Sequence, residues 1–296
     1  MSIYEYFSTV FFMTIGKILF EFQISAIKFS SWLLGRGNKT TILSNLVEQL
    51  IPLYSQHTNY EDIIFYCFGE LPLWRAETLL TKEPETIEWI DSFKTGEILW
   101  DIGANIGCYS LYAAKKGNSV LAFEPSSANY FLLQKNIEYN KLDKKIQAFC
   151  LAFSDVSETG YLNMSSIQMG GAINNFGHVT KTVECADESY DVKFSQGMIS
   201  FSIDEFIKYY HIPPPNHIKI DVDGIENKIV RGAKHTLKDK NLKSLLIELD
   251  FNHQEYNTEI IGILNESGFT LISKNHSPMF DSGKFSSIYN CIFAKK

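Results

Sequence analysis

The stretch D-I-G-A-N-I-G, Asp101 to Gly107, stands between the apolar run I-L-W and the helical pattern C-Y-S-L-Y-A-A-K-K. Glycines at such a strand-to-helix turn let the backbone approach a ligand, and the helix start that follows offers unpaired N–H groups. Outward from this turn, S-V-L-A-F-E and A-N-Y-F-L-L-Q-K-N-I-E-Y-N repeat strand and then helix. That alternation builds a parallel sheet with crossover helices. Glu124 closes the second strand, a place where a carboxylate can accept both hydroxyls of a ribose.

Downstream, K-I-Q-A-F-C-L-A-F reads as a strand, followed by a polar Gly/Asn-rich segment and the strand H-I-K-I-D-V. A helix over 225–238, the strand K-S-L-L-I-E-L, a helix over 254–266 and strands over 269–273 and 287–294 complete the pattern. Upstream, G-R-G-N-K-T-T from Gly35 reads as a break before a helical N-L-V-E-Q-L-I-P-L-Y. The expected division is therefore an N-terminal helical extension over 1–60 and an α/β domain over 61–296.

The 296 residues, 45% of them apolar, suffice for a full core. With 34 acidic against 27 basic side chains the net charge is -7, which argues against a nucleic-acid partner. Five scattered cysteines without a C-x-x-C pair give neither a complete disulfide framework nor zinc-finger spacing. A reducing cytoplasm is the expected setting. Residues 1–35 are rich in aromatics, but Lys17, Glu21 and Lys28 interrupt any bilayer-spanning run, and no signal peptide is expected. As a helix, this segment gathers those charges with Thr14 and Ser25 within about 80° and leaves a wide apolar face. That face calls for cover by its own domain, by a second copy or by a membrane surface.

The turn separates two cofactor classes. A dinucleotide fingerprint reads G-x-G-x-x-G/A, whereas this turn reads D-x-G-x-N-x-G. The Asp101 carboxylate would repel a pyrophosphate but suits the cationic end of S-adenosylmethionine. The expected cofactor residues are Asp101, Gly103, Ala104, Asn105, Gly107, Ser110, Glu124, Pro125, Ser126, Asp155 and Asp221. A nicotinamide-dependent oxidoreductase and a non-catalytic cofactor-binding or membrane-tethering module are the rival readings.

W-D-I-G-A-N-I-G-C-Y-S-L-Y-A-A, A-F-E-P-S, S-I-D-E-F-I and I-K-I-D-V-D-G-I-E-N-K-I-V-R-G-A together resemble the FkbM family of methyltransferases, over about residues 62–250. Gly232 and Ala233 supply the family's G-A pair, and Asp223 stands where Glu is commoner. The resemblance implies a Rossmann-like class I methyltransferase fold, with a seven-stranded, mostly parallel sheet flanked by helices. It also implies O-methylation of a hydroxyl on a sugar, glycan, glycolipid or secondary metabolite.

Methyl transfer is an in-line displacement at a hydroxyl whose proton must be taken. Ligands of open α/β sheets bind at the carboxyl ends of the strands, and alternation puts Lys219, Asp221 and Asp223 on one side of the fourth strand. Asp221 is expected beside the methyl-bearing end of the cofactor, Glu226 toward the acceptor, and Lys219 as neutraliser or base. Two such carboxylates could hold Mg²⁺, but the sequence makes no ligand set, and His211, His217, His235, His253 and His276 lack paired spacing. Residues 168–178 read as an acceptor-side loop or a plain surface hairpin. Arg75, Lys82, Glu83 and Glu85 read as a lid or as helix-start chemistry.

Overall fold

The computed structural model describes residues 18, 21–29, 32, 36–185, 188–277, 279, 281, 283 and 285–295. The chain divides into two compact units between Pro52 and Leu53, rather than near 60. In the first unit, residues 21–29 are helical and a second helix spans Arg36–Leu50. The break expected over 35–41 is thus helical from Arg36 onward, since one interior glycine costs a helix only about 1 kcal/mol. Thr14 and Lys17, part of the expected polar face, lie outside the described residues. Ile18, Phe22, Phe29 and Trp32 are exposed, and the Phe29 and Trp32 rings stack at 6.0 Å. No helix among the described residues is long and apolar enough to cross a membrane.

The second unit opens with an antiparallel hairpin, β1 (Leu53–Gln56) and β2 (Ile63–Tyr66), and the helices Glu70–Glu77 and Pro84–Asp91. Then come β3 (Ile98–Ile102), helix Cys108–Lys116, β4 (Ser119–Phe123), helix Ser127–Tyr139 and β5 (Ile146–Phe149). An inserted region carries β6 (Ala152–Phe153), β7 (Glu158–Met164), β8 (Asn174–Gly177), β9 (Thr182–Cys185), β10 (Glu188–Asp191) and β11 (Phe194–Phe201). Helix Ile203–Tyr210, β12 (His217–Ile220), helix Glu226–Arg231, β13 (Ser244–Asp250), helix Gln254–Glu266, β14 (Phe269–Asn275) and β15 (Ile288–Lys295) complete it. The main sheet has seven strands in the order β5-β4-β3-β12-β13-β15-β14, parallel throughout except that β15 runs antiparallel to both neighbours. This is the Rossmann-like methyltransferase architecture expected from the sequence.

Strand alternation gives the sheet two faces. Ile218 and Ile220 of β12, with Trp100 and Ile102 of β3, join Phe123, Phe153 and Phe206 in the main core. Each such burial is worth roughly 1.5–3 kcal/mol. On the opposite face Lys219 stands level with Asp101 in the β12/β3 register, so that face becomes polar toward the carboxyl ends of the strands.

Two elements differ from expectation. K-I-Q-A-F-C-L-A-F is split, with β5 in the main sheet and β6 paired with β11 in a separate four-stranded sheet. The helix expected to reach 238 stops at Arg231, and a 3₁₀ turn follows at Thr236–Lys238. Between them lies Gly232, where a Cβ would stand 2.3 Å from the Ser154 carbonyl oxygen.

The hairpin is tied to helix Ser127–Tyr139 by side-chain amides. Asn136 Oδ1 accepts from Tyr66 N at 2.7 Å, while Asn140 accepts from Ile64 N at 2.9 Å and donates to Ile64 O at 2.7 Å. Four helical residues rise about 6 Å and two strand residues about 6.6 Å, so the amides match the pitch of the strand.

Candidate active site

A cavity of about 280 Å³ opens at the carboxyl ends of the central strands. One wall is the turn after β3. Gly103 takes φ +86°, and a Cβ there would stand 1.9 Å from the Asp221 carbonyl oxygen, so only glycine fits. Asn105 at φ 51° turns its N–H onto Glu124 Oε2 at 2.8 Å, and Ser126 N donates to Glu124 Oε1 at 2.8 Å. Burial pushes the Glu124 carboxyl up to about 7, against those N–H groups. Glu124, Gly103, Asn105 and Pro125 line the cavity.

Behind this wall are groups that support it. Ala104 N donates to Phe123 O, and Gly107, at φ 90°, precedes the first turn of helix Cys108–Lys116. Ser110 Oγ donates to Asp101 Oδ2 at 2.6 Å, while Asp101 Oδ1 is buried and has no partner. Lys219, 1% exposed, pairs with Asp221 and lies 5.0 Å from the Tyr109 ring centroid. Burial disfavours its charge, but Asp221, Asp101 and Glu83 together hold the Lys219 ammonium above its usual range.

The opposite wall comes from distant segments. Glu83 pairs with Lys82 and accepts from Thr86 Oγ1 at 3.3 Å. Burial opposes its ionisation, yet the ammonium groups of Lys82 and Lys219 keep it below the usual carboxylate range. Asp223 Oδ2 accepts from Asn174 N at 2.7 Å, and burial pushes its carboxyl up to about 6. Glu248 of β13 and Asn290 of β15 are cross-strand partners and both line the cavity. Asn290 donates to Glu85 Oε1 at 2.8 Å, leaving its buried Oδ1 without a partner. Arg75 Nε donates to Gly170 O at 2.7 Å, which joins the lead-in to the Gly/Asn loop. Ala172, Ile173 and Asn174 of that loop also line the cavity, so the loop is more than a surface hairpin.

Two expected site residues lie elsewhere. Glu226 is buried away from the cavity lining, with Tyr256 Oη and Gly224 N donating to its carboxyl. The chain turns over Asp223-Gly224, and the carboxylate one turn on lands behind the wall. Asp155 follows β6, so the crossing into the second sheet carries it off; Ser154 Oγ donates to it and Arg231 stands 3.8 Å away. Sequence reading missed Glu248 and Asn290, whose only signal was a polar residue near the end of an apolar strand. No group of three or more His, Cys, Asp or Glu side chains among the described residues is placed to hold a metal ion.

Comparison with known proteins adds the family. Residues 101–271 match the model of the methyltransferase FkbM domain, more than half of the chain. The hexuronic acid methyltransferase AglP of Haloferax volcanii is 25% identical over 169 residues, 57% of this chain and 63% of that protein. Methyltransferase 1 of Beauveria bassiana is 24% identical over 149 residues, 47% of this chain and 59% of that one. The chain thus spans less than two thirds of the length of either relative. The crystal structure of methyltransferase FkbM from Methylobacillus flagellatus KT superposes with a TM-score of 0.44 at 17% identity, covering 69% of this chain and 45% of that one. With the family match starting at Asp101 itself and running through the turn, Glu124, the fourth strand and Glu248, the chain belongs to the FkbM family of methyltransferases.

Proposed function

We propose that the chain is an S-adenosylmethionine-dependent O-methyltransferase, with a sugar or glycan hydroxyl as acceptor. The observation that carries this reading is Glu124, a buried carboxylate facing the cavity beside a turn that only Gly103 can make. Each of its oxygens accepts one backbone N–H, the Asn129 side chain adds a further hydrogen bond, and acceptor capacity remains for a ribose hydroxyl. The donor set therefore fits an adenosine ribose, and the carboxylates of Asp221 and Asp223 suit a cationic end. When bound, S-adenosylmethionine supplies an electrophilic methyl group.

In this reading Glu124, Pro125, Gly103 and Asn105 hold the nucleoside side, and Asp221 stands beside the methyl-bearing end. Asp101, Ser110, Ala104, Gly107 and Ser126 brace the turn from behind, and Lys219 balances Asp221 and Asp101. A hexuronic acid methyltransferase among the relatives favours a sugar acceptor. Calorimetric titration with S-adenosylhomocysteine and with NAD tests the cofactor. Binding of NAD in preference would overturn the reading. Mass spectrometry of methyl glycosides and glucuronides after incubation with S-adenosylmethionine, looking for a gain of about 14 Da, tests the acceptor class.

A further inference from the structure

Glu83, Glu124, Asp221, Asp223 and Glu248 are the acidic side chains among the described residues lining the cavity. Four are engaged. Asp221 holds the Lys219 ammonium, Glu83 holds Lys82, Glu124 takes two backbone N–H groups and Asp223 takes one. Glu248 alone makes no hydrogen bond and no ion pair with any described residue, so its lone pairs are free. An anion that no donor stabilises is the strongest proton acceptor of such a set.

The sheet places it suitably. Ile220 of β12 pairs with Ile247 of β13, so the same register carried one step on sets Asp221 level with Glu248, and Glu248 is level with Asn290. Neighbouring strands lie about 4.8 Å apart. The three side chains thus form a row leading from the strand end beside Gly103 toward the far wall. Asn290 gives its amide N–H to Glu85, which fixes its free Oδ1 as an acceptor. Free acceptors on this row suit a ligand rich in O–H donors.

We propose that Glu248 takes the proton of the attacking hydroxyl, while Asn290, oriented by Glu85, accepts from a neighbouring hydroxyl of a polyhydroxylated acceptor. The acceptor oxygen forms the new bond to the methyl carbon, the carbon–sulfur bond breaks with its electron pair going to sulfur, and the hydroxyl proton goes to the Glu248 carboxylate. This rests on the methyltransferase reading above. The groups facing Glu248 are Asp221 and Lys219 from β12 and its loop, and Glu83 and Lys82 from the lead-in; Arg75, Glu124, Asp223 and His276 line the same cavity, and saturating cofactor removes the Glu124 contribution from the pH profile. Burial first, then Asp221 and Glu83, raise the Glu248 carboxyl well above its ordinary range, so the base form gains population as pH rises.

The test pairs spectroscopy with kinetics. Carbon-13 carboxyl NMR of the S-adenosylhomocysteine-bound protein should show one glutamate titrating above the usual range that is absent from Glu248→Gln. Single-turnover transfer to methyl glycosides and glucuronides should rise with pH in the wild type. In Glu248→Gln it should fall about 10²–10⁴-fold and lose that limb, with S-adenosylhomocysteine affinity within twofold. Glu248→Asp should recover part of the rate, and Asn290→Leu should raise KM more than it lowers kcat. A Glu248 that titrates ordinarily, or a Glu248→Gln variant with the wild-type rate, overturns the assignment while leaving the methyltransferase reading intact. If the wild type binds S-adenosylhomocysteine yet methylates no hydroxyl compound, the acceptor reading fails and the assignment with it. Loss of S-adenosylhomocysteine binding in the wild type breaks the cofactor reading.

Discussion

The two walls of the cavity are made in opposite ways. The wall at β3 and β4 comes from one short stretch, residues 101–126, in which two backbone N–H groups hold Glu124 and the Ser110 hydroxyl holds Asp101 Oδ2. The wall at β12, β13 and β15 joins residues 83, 221, 248 and 290, far apart in sequence, and leaves Asn290 Oδ1 without a partner and Glu248 without a hydrogen bond to any described residue. A wall that fits one invariant ligand can be local. One that receives a variable ligand is assembled by topology and waits for its partner.

The largest expected effect falls on the ion that joins the walls. Lys219→Met leaves Asp221 and Asp101 without their buried counter-charge, a loss of about 3–5 kcal/mol. Urea denaturation would measure it, and an unchanged midpoint would show that the walls do not depend on this ion.

Next is Glu124→Ala, expected to weaken S-adenosylhomocysteine binding by about 2–4 kcal/mol in calorimetry. Its pH dependence sharpens the point. With the free Glu124 carboxyl near 7, and ribose hydroxyls preferring the ionised form, affinity should climb as pH rises toward 7 and then level off. Glu124→Gln should flatten that slope.

At the opposite ends of the strands lies a control for both walls. His217 is stacked on Phe93 at 3.6 Å and bonded to Ser244 and Glu97, and its burial lowers it to about 4. A histidine depressed on folding contributes stability that is full above its unfolded value near 6.5 and is lost as pH falls from there toward 4. The loss is about 3 kcal/mol by linkage. His217→Asn should remove that dependence from thermal melts without altering S-adenosylhomocysteine affinity at pH 8.

Smaller still is the effect expected of Glu226→Gln, which lies behind the second wall. It should cost about 1 kcal/mol through its bond to Tyr256 and leave single-turnover methyl transfer within twofold. A rate collapse would return Glu226 to the acceptor side.

This contrast also explains what the sequence disclosed. The β3 turn, Glu124 and the strand–helix alternation were readable because their partners lie within a few dozen residues and their spacing is set by local geometry. Lys219 and Asp221 followed from strand alternation. Glu226 was misplaced because the alternation stops at Asp221, and Asp155 because β5 ends early and the chain changes sheets. Glu248 and Asn290 sit in apolar strands and become a pair only through the antiparallel insertion of β15, a register that no local pattern encodes.

The amides of Asn136 and Asn140 have a consequence for how the molecule keeps its own company. By occupying Ile64 and the N–H of Tyr66 they cap the open edge of a two-stranded ribbon, the kind of edge on which another chain's strand can nucleate. The helix Ser127–Tyr139, whose Asn129 lines the cavity, thus also acts as a guard against self-templated aggregation. Asn136 and Asn140, at its C-terminal end, safeguard colloidal behaviour at a place remote from any chemistry.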